Sequence, residues 1–249
     1  PDLTAASVPA DAPDTIELEY DEPVQADGGV TDLSLSNVTN ATGNELNVTG
    51  FESNSDSNNV TLALDGYVAS NASDLAATYE ISGTGPIFHA NDDTVGALNF
   101  TSETVNNNAQ PTLVNAEVTD ANPDRLVMNF SEPLESGSNT DIADGFSLND
   151  SIDDVYKNTS TQPDNQVVLN LSSSVAPGAN LTGLEYSGPD SALNSSLTGS
   201  DAPLYAFSDA TVTNNVAPVL QSAEVSDANK SIIVASYQDG AEVELTEQN

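Results

Sequence analysis

The sequence has no cysteine, no tryptophan, one histidine, one methionine and only 3 Lys plus Arg among 249 residues. Each shortage excludes something. Without cysteine there is neither a disulfide framework nor a thiolate metal site. Three cations cannot neutralise a phosphate backbone, which removes nucleic acid as a partner. The lone His89 precedes Asn91-Asp92-Asp93 and reads as a loop residue with no partner motif. No spacing sets a base between an orienting acid and a nucleophile, and carboxylate pairs carry no information where acids are this common. No enzyme activity is expected, and no residue is assigned to catalysis. The longest apolar run, Ile232 to Ala235, is far too short to span a membrane. Lys157 and Lys230 both fall in turn-like segments, which argues against a buried Lys–Asn cross-link.

What the chain has in excess is acid. Asp plus Glu number 39, for a formal net charge of −36. The acids are scattered through alternating apolar segments rather than gathered in a tail, so the chain is expected to fold. Self-repulsion of this size destabilises a compact state in dilute buffer. At about 1 M salt the screening length shrinks to about 3 Å and most of the repulsion goes. Asp enrichment with hardly any Lys points to a salt-adapted organism.

The stretch Phe207 to Asn229, FSDATVTNNVAPVLQSAEVSDAN, matches Phe100 to Asn122, FTSETVNNNAQPTLVNAEVTDAN, without a gap at an offset of 107 residues. A match this long is an internal repeat. It divides the chain into 1–110, 111–217 and an incomplete third repeat, 218–249. The two full units have the length of a seven-stranded sandwich. Thr15 to Tyr20 alternates strictly, with Ile16, Leu18 and Tyr20 on one face. Leu126, Met128 and Phe130 repeat the pattern, as do Ile233, Ala235 and Tyr237. In both full units this strand runs into Glu-Pro, at Glu22-Pro23 and Glu132-Pro133, where proline should end the ladder. Strands are also predicted at 3–8, 32–37, 45–51, 59–64, 75–81, 98–105, 145–149, 166–171, 182–186 and 204–212. Asn, Asp, Gly, Ser and Pro clusters separate them. The predicted fold class is all-β, a tandem of immunoglobulin-like sandwiches of about seven strands each.

The order Pro-x-Leu…Ala-x-Val, then LxLxYxEPV or LVMNFSEPL, then NxVxLxL and FSDATVTNN, resembles the SwmB-type repeat of large bacterial and archaeal surface proteins. Unit 1 departs from it with Ala69-Ser70-Asn71 where unit 2 has Ala176-Pro177-Gly178, and unit 3 with Gln238-Asp239-Gly240 in place of Glu-Pro. The resemblance implies an immunoglobulin-like fold, a cell-surface array and no enzymatic activity.

Two kinds of site are suggested. Calcium takes six to eight oxygen ligands, and Asp141, Asp144, Asn149, Asp150, Asp153 and Asp154 could supply them, as could Asn91, Asp92 and Asp93. Asn107, Asn108, Asp120 and Glu132 gather near one junction, and Asn214, Asn215 and Asp227 near the next. The competing reading is solvated acids and turn formers, since no DxDxDG loop is present; no other cofactor is implied. The second kind is glycosylation. Asn-x-Ser/Thr occurs 13 times, at Asn37, Asn40, Asn47, Asn59, Asn71, Asn99, Asn129, Asn149, Asn158, Asn170, Asn180, Asn194 and Asn229, against about 5 to 6 by chance from this composition. Asn129 and Asn170 fall on the outward phase of strands, as a sugar requires. Polar strand faces selected for salt tolerance are the competing explanation.

The sequence therefore reads as an extracellular structural subunit, a rod of sandwiches in a surface fibre, surface layer or adhesin. A carbohydrate- or cell-binding module, or a fibre or spike of a virus of a halophile, is the alternative. Expected partners are copies of the chain, by end-to-end packing or strand addition, and cell-surface glycans. Pro1 coincides with a repeat start, which favours a window of a longer array over strand exchange by the incomplete third repeat.

Overall fold

The computed structural model describes residues 1–53, 57–81, 85–136, 145–148, 152–156, 164–188, 193–225, 232–237 and 242–246. The chain is all-β: the described residues form 23 strands and no helix, and no helix long and apolar enough to cross a membrane is found among them. The first unit holds β1 (Leu3–Val8), β2 (Thr15–Ala26), β3 (Leu33–Ser36), β4 (Val48–Ser53), β5 (Ser57–Leu64), β6 (Ala76–Tyr79), β7 (Ile87–His89), β8 (Asp92–Gly96), β9 (Phe100–Thr104) and β10 (Asn106–Asn107). One sheet has the order β10-β1-β2-β5-β4, and β3-β6-β9 forms the other; the β7–β8 hairpin pairs with the far half of β2. The five- and three-strand sheets make an immunoglobulin-like sandwich, larger than the four-plus-three constant type by the parallel closing strand β10 and by the hairpin.

The second unit repeats the plan with β11 (Leu113–Thr119), β12 (Asn122–Phe130), β13 (Leu134–Ser136), β14 (Phe146–Ser147), β15 (Ile152–Tyr156), β16 (Gln166–Leu171), β17 (Leu184–Tyr186), β18 (Leu193–Ser195), β19 (Phe207–Ala210) and β20 (Val212–Asn215). Its sheets are β15-β16-β12-β11-β20 and β14-β17-β19, with β13 paired to β18. Loop hydrogen bonds recur too: Val68 N–H to Pro13 O at 2.8 Å becomes Val175 N–H to Pro123 O at 2.7 Å. Last come β21 (Leu220–Val225), β22 (Ile232–Tyr237) and β23 (Glu242–Thr246), a three-stranded sheet in that order. In it β23 follows β22 directly as an antiparallel partner, in the place β5 takes beside β2.

Alternation in the sequence becomes burial in the fold. Ile16, Leu18 and Tyr20 are at most 1% exposed, and so are Leu126, Met128 and Phe130. Each such side chain contributes about 1.5–3 kcal/mol on full burial. Facing them are Ala77 and Tyr79 in the first core, and Leu184 and Tyr186 in the second. Aromatic contacts close the second core, with Phe146 and Tyr186 centroids 4.8 Å apart and Phe207 within 6.3 Å of both.

Three expectations about elements are corrected. Pro23 does not end its strand, because β2 runs on to Ala26. The ladder with β5 slips between Glu19 and Val24, and Val24 then pairs with His89; the missing proline N–H falls in the slip, where it costs least. In the second unit the same interval is a full break between Phe130 and Leu134. Second, His89 ends strand β7 rather than sitting in a loop. Third, the long closing strands 98–105 and 204–212 are each divided. Ser102 and Asp209, 107 residues apart, have φ of 53° and 52°. Each is a bulge inside β9 or β19, whose last residues still pair with β6 or β17; the chain changes sheet only at Val105 or Thr211, to pair in parallel with β1 or β11.

Candidate functional site at the junction of two units

Each unit holds one end loop with an asparagine. Asn107 Nδ2 donates to Ala69 O and Ala72 O, both at 2.9 Å, and its Oδ1 accepts from Ala109 N–H at 3.0 Å. Asn214 repeats this with Ala176 O at 3.0 Å, Ala179 O at 2.9 Å and Val216 N–H at 3.0 Å. The Asn-Asn of the repeat motif is thus a latch on the loop that projects toward the following unit.

The first loop carries Ser70 into a socket on the second unit. Ser70 N–H donates to Glu132 Oε2 at 3.0 Å and its hydroxyl donates to Oε1 at 2.7 Å. Ser195 and Ser200 hydroxyls lie 3.1 and 2.7 Å from Ser70 Oγ. One hydroxyl has one proton: Ser70 gives it to the Glu132 carboxylate at 2.7 Å, with Ser195 Oγ a second acceptor facing the same proton at 3.1 Å, and accepts from Ser200. Ser195 and Ser200 in turn accept Leu197 N–H and Ala202 N–H, each at 3.2 Å. Asn71 Nδ2 adds a bond to Thr198 O at 3.1 Å. Glu132 is 3% exposed and Ser195 1%. No cation is found paired with Glu132 among the described residues. A buried carboxylate is costly unless hydrogen-bonded, and hydrogen bonds to a charged group contribute about 1.5–3 kcal/mol each. Ser70 supplies both of the hydrogen bonds found to the Glu132 carboxylate among the described residues, so the socket depends on the loop.

The next junction is built differently. Pro177 takes the place of Ser70 and has neither N–H nor hydroxyl to donate. An open cleft of about 450 Å³ lies there, lined by Asp120, Pro123, Val175, Pro177, Val216 and Val219 among others. Val219 and Leu220 are 55% and 53% exposed.

Among the described residues, those proposed for calcium are spread over several places. Asn107 spends its amide on the latch, Asn108 is exposed with its N–H donated to Val8 O, and Glu132 holds Ser70. Asp120 lies at the opposite end of the second unit, accepting Ala217 N–H at 3.3 Å, while Asn215 donates to Glu117. In the β7–β8 turn, Asn91 N–H donates to His89 Nδ1. There Asp92 accepts from Thr94 O–H and N–H, and these bonds hold its carboxyl below the usual range. Asp153 and Asp154 lie on β15, where only the backbone is described. Asp141, Asp144, Asn149, Asp150 and Asp227 lie outside the described residues. Among the described residues no group of three His, Cys, Asp or Glu side chains could hold a metal ion.

The sequons divide by what their amides do. Asn37, Asn47, Asn71, Asn99 and Asn129 donate Nδ2 to Asp74 O, Asp65 Oδ2, Thr198 O, Ile81 O and Asn115 Oδ1. Asn40 instead accepts from Thr42 and Asn44, capping a turn. Asn59 is exposed on β5 and Asn170 half-buried on β16. Asn194 pairs with Glu135 across β13 and β18, and Asn180 borders a surface cleft. Asn149, Asn158 and Asn229 lie outside the described residues. Composition and spacing did not single out Ser70, Ser195 or Ser200; the one signal was the departure of Ala69-Ser70-Asn71 from Ala176-Pro177-Gly178.

Fold and site together define a tandem immunoglobulin-like sandwich protein whose full units engage through a loop and a socket. No protein-family model matches the chain, so the SwmB-type resemblance stands on its motifs alone. No curated protein matches it either. Among solved structures, the N-terminal part of the bacterial S-layer protein SbsC is similar at a TM-score of 0.33 and 13% identity, over 56% of this chain and 34% of that one. The chain thus spans about a third of that protein fragment, and a likeness of this degree defines neither fold nor function.

Proposed function

We propose that the chain is a structural component of an extracellular surface array in a salt-adapted organism, its units stacked end to end as a rod. The observation that carries this is the clasp of Ser70 on Glu132, which ties the end loop of one unit into the socket of the next. Only 107 residues separate Asn107 from Asn214, so the latch that presents the loop recurs once per unit. The net charge of −36 supports the salt adaptation, and the excess of sequons supports an outside location. Among the described residues the exposed large apolar side chains include a single aromatic, Tyr205 at 37%, which gives a binding-module reading little to work with. Small-angle scattering and electron micrographs of the protein in molar salt test the proposal. Particles of one fixed elongated shape, or filaments and lattices of them, are expected. A distribution of bent shapes between the first two units would overturn the rod.

A further inference from the structure

The first unit presents, at its own entry pole, a second copy of the socket. Glu22 stands where Glu132 stands, in the same Glu-Pro step. His89 pairs with Val24 as Ser195 pairs with Leu134. Ala90 N–H donates to Pro23 O at 2.9 Å just as Ser196 N–H donates to Pro133 O at 3.0 Å. The correspondence extends to side-chain chemistry. Ser195 Oγ accepts the N–H of Leu197, two residues on, and His89 Nδ1 accepts the N–H of Asn91, also two residues on. A neutral imidazole accepting at Nδ1 carries its proton on Nε2, so His89 keeps a donor to offer. The difference is exposure. Glu132 is 3% exposed, but the Glu22 side chain is 55% exposed, with the Pro1 amine at 3.8 Å as its ion-pair partner. In the same unit Leu98 and Val95 are 60% and 45% exposed. Leu98 occupies the place of Tyr205, its N–H donated to Pro1 O as that of Tyr205 is donated to Pro111 O.

From these equivalences we infer that the entry pole of the first unit is a docking surface for another unit of this fold, one that presents serine or threonine at the place of Ser70. The incoming N–H and hydroxyl bind the Glu22 carboxylate, His89 donates to the hydroxyl oxygen, and Leu98 and Val95 are covered. A loop with proline at that place has nothing to donate. A second copy of this chain therefore cannot fill the socket through its second unit, whose loop carries Pro177. The inference rests on the stacking reading above.

The test lengthens the full chain upstream by a second copy of residues 1–110, joining Gln110 to Pro1 as Gln110 joins Pro111. Hydrogen exchange is followed by mass spectrometry in molar salt over residues 20–24 and 86–98 of the original first unit. With Ser70 in the added copy, exchange there should slow about tenfold or more, the worth of a hydrogen bond to a charged group. Ser70→Thr in the added copy should keep the protection, and Ser70→Pro should abolish it. The proline variant is compatible with the loop, since Pro177 occupies the same loop under the same latch. Absence of protection with all three residues would overturn the docking surface, and equal protection with serine and proline would overturn the selection. Ser70→Pro at the native junction separates the two failures. It should speed exchange over residues 197–202, and no change there would count against stacking itself.

Discussion

Tyr20 shows how much one buried oxygen can decide. Its ring is in the first core at 1% exposure, and no hydrogen-bond partner is found for its hydroxyl among the described residues. The second unit has Phe130 in the same place. An unsatisfied buried hydroxyl costs about 1–3 kcal/mol, so Tyr20→Phe should stabilise the protein by about 1 kcal/mol in denaturant titrations at molar salt. Burial first, and the neighbouring Tyr79 second, push the Tyr20 phenol well above its ordinary value. The unfolded chain ionises near pH 10 while the folded one stays neutral. The stability this phenol preserves is full below about pH 10 and is lost as pH rises beyond it. Tyr20→Phe should accordingly reduce the alkaline fall of the thermal midpoint. At this scale the sequence was legible where phase alone decides: Ile16, Leu18 and Tyr20 could be placed inward from alternation. Ser70 could not, because its partners Glu132, Ser195 and Ser200 belong to a unit that begins some 40 residues later.

Among the elements, the Glu-Pro step is one motif with two fates. Glu132→Ala leaves the Ser70 N–H and hydroxyl without their acceptor, at a cost of about 1–3 kcal/mol, whereas Glu22→Ala removes an exposed carboxylate and should change little. A calorimetric scan of each variant checks this, and equal losses would mean that the motif serves the strand rather than the junction. Long alternating strands such as β2, β12 and β16 were readable from their period. The strands β7, β8, β15 and β18 were not, being 3 to 5 residues long and too polar or too short to show a phase. The bulges at Ser102 and Asp209 were also hidden, since neither is a glycine and left-handed backbone is uncommon elsewhere. The third sheet departs from the repeat in connectivity, since β23 follows β22 in the chain and pairs with it directly.

For the molecule as a whole, charge sets the conditions of stability and topology sets its response to load. With 39 acids against 3 bases, circular dichroism followed from about 3 M to about 0.1 M salt should show loss of the β spectrum or a steep fall in midpoint as screening is withdrawn. An unchanged midpoint would remove salt adaptation from the argument. The repeat announced the all-β plan because strand spacing and offset survive in sequence. It did not announce the route by which each unit closes. The closing strands β10 and β20 run parallel to the opening strands β1 and β11, so the chain enters each sandwich at one pole and leaves at the other. Tension along the chain then shears all the cross-strand bonds of the closing pair together instead of peeling them in succession. The first unit closes over two paired positions and the second over four. Under single-molecule stretching the second unit should give way at the higher force, making the first the link that yields and lengthens before the second is strained.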